Sequence, residues 1–240
     1  TIEQLEKLAK GKAPFFLQYW PLWPLNFVND QEQNESLNGG HFAEKLQRLD
    51  GMLGEVIDKV DELGIADNTV IVLMADNGLM HLYPSYTSGL NELIYRGGKT
   101  DHLEGGVRVD AFVRWPGVIE PGTIYNDIIS HEDWLPTFLH AAGVPGIVDK
   151  VKQGYTANGK DWKVHLDGYD FLPYFKGEVD KGPRETIYYF GQGGELNAVR
   201  WNDWKVHFAI IEGNIATGER VVTNWPTIIH LRADPYEKAP

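Results

Sequence analysis

The fold class is decided by one stretch of sequence, Thr69-Val70-Ile71-Val72-Leu73-Met74, in which every residue is apolar or β-branched. A strand that is apolar on both faces is expected in a parallel sheet covered by helices. Before it, residues 41–63 carry apolar side chains at the spacing of an amphipathic helix, and Gly64 follows where a C-cap belongs. The aromatic run at residues 15–20 predicts an earlier buried strand. Strand, helix and strand in this order form a βαβ unit, so the sequence predicts an α/β fold with a sheet flanked by helices.

Downstream, the pattern predicts a strand at residues 107–115 and a helix at residues 134–142. Residues 146–167 are polar and only weakly periodic, which indicates a loop. The texture changes after Pro183, where short apolar strands alternate with turns such as Asn202-Asp203. The predicted C-terminal strands are residues 186–190, 197–201, 205–210 and 227–231. We therefore expect an α/β core over residues 1–182 and a small antiparallel β subdomain over residues 183–240.

Composition excludes several classes of protein. The chain has 240 residues and a formal net charge of −12, and so acidic a protein lacks the basic face that nucleic-acid binding requires. It has no run of the roughly 20 apolar residues that a membrane-spanning helix needs, so neither nucleic acid nor a membrane is an expected partner. Cysteine is absent, which excludes disulfides and thiol nucleophiles within this sequence.

Candidate metal ligands follow the deciding strand, in Ala75-Asp76-Asn77-Gly78. Ligands of open α/β sheets bind beyond the carboxyl ends of strands. The Asp76 carboxylate and the Asn77 amide offer hard oxygen atoms, which suit calcium or magnesium, and Gly78 lets the backbone turn away sharply. An ordinary turn at the end of a strand uses the same residue types, so this alternative stays open.

A second candidate group lies in the glycine-rich segment that follows. Lys99 comes after Gly97-Gly98, where uncrowded backbone lets an ammonium approach an anion. Glu104 and Arg108 bracket Gly105-Gly106, and we interpret them as a structural ion pair or a brace of the turn. His81 and His102 lie in loops near the candidate site and are weaker candidates for substrate contact.

Taken in order, these motifs resemble the C-terminal two-thirds of an arylsulfatase, and the resemblance covers nearly the whole chain. The motifs that carry it are Pro14-Phe15-Phe16-Leu17, Asp76-Asn77-Gly78, Gly98-Lys99, Glu104-Gly105-Gly106-Val107-Arg108, Trp115-Pro116-Gly117, Ser130-His131-Glu132-Asp133-Trp134, Leu166-Asp167-Gly168-Tyr169-Asp170 and Arg232-Ala233-Asp234-Pro235. The resemblance implies an alkaline-phosphatase-like fold and the hydrolysis of sulfate monoesters by a formylglycine with one bound divalent ion, usually Ca²⁺, with Mg²⁺ as the alternative. It also implies that Asp76 and Asn77 are metal ligands and that Lys99 is a catalytic residue that contacts the sulfate.

Two departures from the family pattern bear on activity. The nucleophile motif, Cys or Ser-x-Pro-x-Arg, and the earlier aspartate pair of the metal site are absent from this sequence. In the family both lie upstream, so we expect an N-terminal segment or a companion chain to supply them, and we expect this chain alone to be inactive. The family also carries a histidine shortly after the Pro-Phe-Phe strand, whereas residues 20–25 contain none.

Two other functions stay open at this point. A phosphate or phosphonate ester hydrolase of the same superfamily would use Thr or unmodified Ser as its nucleophile. A non-catalytic subunit would explain the absent nucleophile. The sequence does not determine the compartment, and a periplasmic or secreted location is favoured over the cytoplasm.

Overall fold

The computed structural model describes residues 1–11, 13–21, 40–78, 95–211 and 218–238. The helices are α1 (Ile2–Ala9), α2 (Gly40–Glu62), α3 (Glu104–Val107), α4 (Trp134–Ala141), α5 (Ile147–Gln153) and α6 (Leu172–Phe175). The strands are β1 (Ile71–Met74), β2 (Ala111–Arg114), β3 (Tyr155–Ala157), β4 (Lys160–Trp162), β5 (Thr186–Phe190), β6 (Leu196–Trp201), β7 (Trp204–Ile211) and β8 (Arg220–His230). None of the helices formed by the described residues is both long and apolar enough to cross a bilayer.

The chain forms two compact units. One contains Thr1–Arg114 together with Tyr188–Pro240, and the other contains Trp115–Ile187. A domain is a part of the chain that could fold by itself, and a compact unit does not have to meet this condition. The predicted division into domains at residue 182 therefore stays a prediction.

In the first unit, the deciding strand is formed over Ile71–Met74 as β1 and pairs antiparallel with β2, from Ile71 opposite Arg114 to Met74 opposite Ala111. The parallel pairing expected of this strand is therefore not found among the described strands. The predicted strand at residues 15–20 is not formed, and Phe16 is 68% exposed. A strand needs a neighbour to pair its backbone groups, and none of the described strands forms a ladder with this run. The βαβ unit is thus not seen in the described part of the chain.

Helix α2 matches its prediction and ends where the glycine requires. Gly64 has a φ of +66°, in the left-handed region that glycine enters without steric cost. Its N–H donates to the Asp61 carbonyl at 3.0 Å and satisfies one of the free carbonyls at the helix end. Strand β1 begins seven residues after Gly64, and the residues of the candidate site follow directly after β1.

The second unit is organised around a buried carboxylate. Asp133 accepts hydrogen bonds from the backbone N–H groups of Ser130 and Tyr169, each at 2.7 Å. Arg184 adds two more, from Nε at 2.8 Å and Nη2 at 2.7 Å. Asp133 is fully buried, and both of its oxygens have two donors. This unit also contains the predicted helix at residues 134–142, formed as α4.

The prediction of a loop at residues 146–167 is wrong. Residues Ile147 and Val151 are buried on one face of helix α5, and β3 and β4 form a hairpin across the turn Asn158-Gly159. Both turn residues have positive φ, +51° and +71°, as the two-residue hairpin turn requires. Helix α5, β3 and β4 are short and contain charged residues, so their hydrophobic periodicity is too weak to predict them from the sequence.

The C-terminal sheet contains the four predicted strands in the order β5-β6-β7-β8, although β8 begins at Arg220, seven residues before the predicted strand at residues 227–231. The hairpin turn Asn202-Asp203 is confirmed, because Trp201 pairs with Trp204 across it and Asn202 has a φ of +50°. Among the described strands, β8 lies at the edge of the sheet, where Pro226 costs no ladder hydrogen bond with a further strand.

Candidate active site

The predicted metal ligands lie directly after β1. The Asp76 carboxylate Oδ1 accepts a hydrogen bond from the Asn77 N–H at 2.9 Å. The Asn77 side chain donates from Nδ2 to the Gly78 carbonyl at 2.8 Å, so its Oδ1 is the atom left for a ligand role. Asp76 is exposed and Asn77 is half-buried. The two residues offer oxygen donors of the type that calcium binds.

Gly78 joins this segment to the glycine turn of α3. The Gly78 N–H donates to the Gly106 carbonyl at 2.9 Å. A Cβ at Gly78 would lie 1.8 Å from the Gly105 carbonyl oxygen, so only glycine allows the two backbones to approach this closely. The predicted strand at residues 107–115 is correspondingly shorter, because residues 104–107 form this helical turn and β2 begins at Ala111.

The segment that bears Lys99 meets the same glycine turn. The Gly105 N–H donates to the Arg96 carbonyl at 2.7 Å, and a Cβ at Gly106 would lie 2.4 Å from the Gly98 carbonyl oxygen. Gly78 and Gly98 therefore both lie against Gly106. The backbones that carry Asn77 and Lys99 come together at one turn, although they are separated in sequence by more than 20 positions.

Lys99 is half-buried, and its ammonium makes no ion pair with any other residue that the structure describes. Its loop is held from within by Asp101, whose carboxylate accepts hydrogen bonds from the N–H groups of Gly98 at 2.8 Å and Leu103 at 2.9 Å. Thr100 has a φ of +81°, which is uncommon for a β-branched residue. The loop is thus closely held around the lysine.

Glu104 is a brace of the turn, as predicted, but its main partner is not Arg108. The Glu104 carboxylate is fully buried and lies 3.1 Å from Lys205 Nζ, through Oε1. Arg108 and Arg200 lie farther away, 4.0 Å and 3.8 Å from Oε2. Lys205 lies on β7 and is itself fully buried. Removing either partner would leave an unpaired charge in the protein interior, which is strongly destabilising.

Glu237 completes this cluster. Its Oε1 lies 3.2 Å from Lys205 Nζ and 2.8 Å from His207 Nε2, and its Oε2 accepts a hydrogen bond from the Glu104 N–H at 2.6 Å. Burial alone would raise the pKa of the Glu237 carboxyl. The hydrogen bond from His207, the charge of Lys205 and the Glu104 N–H outweigh burial and hold this pKa at about 2.

His102 lies against the cluster rather than in an open loop. Its ring centroid is 5.3 Å from that of His207, and the residue is buried. Burial, followed by the neighbouring His207 and Lys205, lowers the pKa of His102 to about 4, so its imidazole is neutral at pH 7. His81, the other histidine predicted near the site, lies outside the described residues.

A cavity of about 550 Å³ lies beside the Lys99 loop and the C-terminal sheet. The described residues that line it are Arg96, Leu103, His207, Ile210, Thr227, Ile229 and Lys238. Asp76, Asn77 and Lys99 are not among them, so this cavity is not formed by the predicted site residues.

The described residues do not contain a complete metal site. No three of their His, Asp or Glu side chains cluster as a metal site would require. Asp76 and Asn77 supply two oxygen donors, whereas calcium takes six to eight. The type of donor therefore fits the ion, and the number calls for further ligands.

Sequence analysis missed Asp101, Lys205, His207 and Glu237. The acidic residues carry no local motif. Lys205 and His207 lie on a strand whose alternating pattern points to the opposite face, since Trp204, Val206 and Phe208 are the apolar set. The structure buries Lys205 and His207 instead.

Comparisons with known proteins agree with the sequence motifs. Residues 16–144 match the sulfatase family, and residues 182–240 match the C-terminal region of aryl-sulfatase. Steryl-sulfatase of Rattus norvegicus is 32% identical over 194 residues, which cover 79% of this chain and 31% of the rat protein. Arylsulfatase A of Homo sapiens is 31% identical over 207 residues, which cover 81% of this chain and 36% of the human protein.

Among solved structures, the PsFucS1 sulfatase from Pseudoalteromonas sp. superposes with a TM-score of 0.71 and 25% identity, over 89% of this chain and 42% of that protein. This likeness confirms the predicted alkaline-phosphatase-like fold class. The chain spans about a third of the length of rat steryl-sulfatase and human arylsulfatase A, rather than the two-thirds expected from the sequence. One family match alone covers more than half of its residues, and a second covers most of the rest. The chain belongs to the sulfatase family.

Proposed function

We propose that this chain is part of a hydrolase that cleaves sulfate monoesters, in which Asp76 and Asn77 bind a divalent cation and Lys99 binds the sulfate. The observation that carries the proposal is the contact of Gly78 and Gly98 with the single residue Gly106. Because of this contact, the segment of Asp76 and Asn77 and the segment of Lys99 lie against the same turn, which supports the proposal. Membership of the sulfatase family supports the choice of reaction.

Lys99 would act on charge. A sulfate monoester carries a negative charge, and cleavage gathers further charge on the oxygen that leaves. An ammonium held beside the sulfate oxygens stabilises that charge and orients the group. The net charge of −12 repels anions at long range, so attraction must come from such local cations.

Asp76 and Asn77 would hold the cation, which we take to be Ca²⁺, with Mg²⁺ as the alternative. When bound, the ion supplies Lewis-acid stabilisation of the sulfate oxygens. The remaining ligands and the formylglycine would come from an N-terminal segment or a companion chain, since the nucleophile motif is absent from this sequence. We therefore expect no turnover from these 240 residues alone.

The substrate is proposed only at the level of the sulfate monoester. The relatives include proteins named for steryl sulfates, for aryl sulfates and for N-acetylgalactosamine 6-sulfate. These names cover apolar and sugar alcohols alike, so what they have in common is the sulfate ester itself.

The test is reconstitution. The chain, joined to an N-terminal segment bearing matured formylglycine, should hydrolyse an activated aryl sulfate. Lys99→Ala should lower kcat/KM by about 100-fold to 1,000-fold, the usual loss when a group that stabilises transition-state charge is removed. Lys181→Ala is the matched control, because that lysine is exposed and pairs with Glu185.

Metal binding is tested separately. A chelator should abolish turnover, Ca²⁺ should restore it, and Asp76→Ala should raise the Ca²⁺ concentration needed for half-maximal rate. Absence of sulfate-ester hydrolysis from the reconstituted protein would overturn the proposal. Faster cleavage of phosphate or phosphonate esters than of sulfate esters would favour the related hydrolase reaction instead.

A further inference from the structure

The loop that bears Lys99 is held in an unfavourable backbone conformation. Thr100, the next residue, has a φ of +81°, in the left-handed region that β-branched residues rarely adopt. Such a conformation persists only where the surrounding structure fixes it. Asp101 binds the N–H groups of Gly98 and Leu103, but it is itself part of the loop, so these bonds do not attach the loop to the rest of the protein. Something outside the loop must therefore hold it in place.

Both ends of the loop are bound by one distant residue, Glu237. At the first end, Arg96 Nη1 donates to the Glu237 carbonyl at 2.9 Å. At the second end, the Glu104 N–H donates to the Glu237 carboxylate Oε2 at 2.6 Å. The loop is thus clamped at residues 96 and 104, with Lys99 between the two contacts.

The clamp is itself fixed to the C-terminal sheet. The other carboxylate oxygen of Glu237 lies 2.8 Å from His207 Nε2 and 3.2 Å from Lys205 Nζ, and all three side chains are fully buried. The pKa of Glu237 is held at about 2, so the carboxylate stays ionised through the physiological range. Lys205 and His207 are neighbours on β7, which is the central partner of β6 and β8. A regular sheet therefore anchors the loop.

We propose that Glu237 is a positioning residue, which clamps the loop from Arg96 to Glu104 so that the Lys99 ammonium is presented to the bound sulfate. The inference rests on the proposed function for Lys99 and goes beyond it, because it assigns the geometry of that lysine to a residue 138 positions away. Glu237 does not touch substrate in this proposal. It acts through Lys99.

Glu237→Gln is the most informative variant. Every contact of the carboxylate is with a donor, namely the Glu104 N–H, the Lys205 ammonium and His207 Nε2. Glutamine keeps the volume but puts an amide N–H₂ against one of these donors. In the reconstituted protein described above, we expect kcat/KM for an activated aryl sulfate to fall at least about 10-fold, mainly because kcat falls.

A double-mutant cycle separates positioning from general stability. If Glu237 acts through Lys99, Glu237→Gln should cost little further activity in a Lys99→Ala background, where the lysine is already absent. An equal loss in both backgrounds, or no loss in the wild-type background, overturns the proposal. The control is Glu195→Gln, which alters a partly exposed carboxylate 3.6 Å from Arg220 on the same sheet and should change kcat/KM less than about 2-fold.

Amide hydrogen exchange tests the clamp without any need for turnover. In Glu237→Gln, exchange should accelerate at the amides of residues 97–105 and stay unchanged in the β6–β7 hairpin. Uniform acceleration over the whole chain would show a merely structural role and overturn the proposal. If the clamp behaves as expected while the wild-type protein hydrolyses no sulfate ester, the proposed function fails and the clamp stands.

Discussion

Each compact unit buries a cluster of charged side chains, and the two clusters are built differently. In the second unit, Asp133 has two donors for each of its oxygens, from Ser130, Tyr169 and Arg184. In the first unit, Glu104 and Glu237 share the charge of Lys205, and some buried polar atoms have no hydrogen-bond partner among the described residues. These atoms are His102 Nε2, Glu104 Oε2 and His207 Nδ1.

The difference separates a structural cluster from one tied to the candidate site. A fully satisfied buried network stabilises a fold, and a partly satisfied one calls for a reason. Here the partly satisfied cluster is the one that holds the loop of Lys99. Departures from complete satisfaction are expected at functional sites, where the arrangement serves more than stability.

The largest effect should appear when the same chemical change, a carboxylate replaced by its amide, is made in each cluster and the free energy of unfolding is compared. Asp133→Asn should lower the free energy of unfolding by about 3 to 5 kcal/mol. It replaces a fully buried carboxylate oxygen that accepts two hydrogen bonds with an N–H₂ group facing those donors, and among the described residues Arg184 then keeps only its contact with Glu132 at 2.8 Å as an ion pair. Glu104→Gln should lower it by about 1 to 2 kcal/mol, because Lys205 keeps Glu237 and Glu104 Oε2 has no hydrogen bond to lose. Urea unfolding at pH 7 measures both. Equal losses would contradict the comparison.

A smaller effect should appear in the pH dependence of stability. The pKa of His102 falls from 6.5 in the unfolded chain to about 4 in the folded one, so between these values the unfolded state binds more protons. Stability is then complete above pH 6.5 and is lost as the pH falls towards 4, by at most about 3 kcal/mol. Glu237 adds a second loss below its ordinary value of 4.5, down to about pH 2.

The variant His102→Asn tests this assignment. Its unfolding free energy, measured from pH 4 to pH 8, should vary less between pH 6.5 and pH 4 than that of the wild type. Above pH 7 the two curves should run parallel, which serves as the internal control. An unchanged slope in the variant would mean that another group causes the loss.

The smallest effect should come from exposed ion pairs, whichever unit contains them. Asp61→Asn breaks the pair with Arg114 in the first unit, and Glu185→Gln breaks the pair with Lys181 in the second. Neither should shift the urea midpoint measurably, because water and side-chain entropy offset most of the attraction. A clear shift in either variant would show that burial is not what separates the two clusters from these exposed ion pairs.

Local signals in the sequence predicted much of the fold. Helix α2, its C-cap at Gly64 and the hairpin turn at Asn202-Asp203 could each be predicted from residues that are close together in the sequence. The hairpin of β3 and β4 was missed although Asn158-Gly159 is a strong turn signal, because its strands have only three residues each. Residues 15–20 carried the opposite error, since an aromatic run without a pairing strand does not form one.

The surroundings of the candidate site were beyond local signals. Asp76, Asn77 and Lys99 follow glycines and a strand end that can be recognised in the sequence, and their roles stay predictions. Lys205 contacts Glu104 across 101 positions, and no spacing rule predicts such a contact. The alternation of β7 is also misleading, because Lys205 and His207 face inward, where their charges are matched by acidic residues from elsewhere in the chain.

The glycine turn has a consequence for mutational tolerance. A Cβ at Gly78, Gly105 or Gly106 would meet backbone oxygen atoms at 1.8 Å, 2.3 Å and 2.4 Å, and backbone cannot rotate aside as a side chain can. A saturation library would therefore score these three positions as intolerant of every replacement, alanine included. Such a score is easily mistaken for contact with a ligand. Here it would reflect only the close approach of three backbone segments.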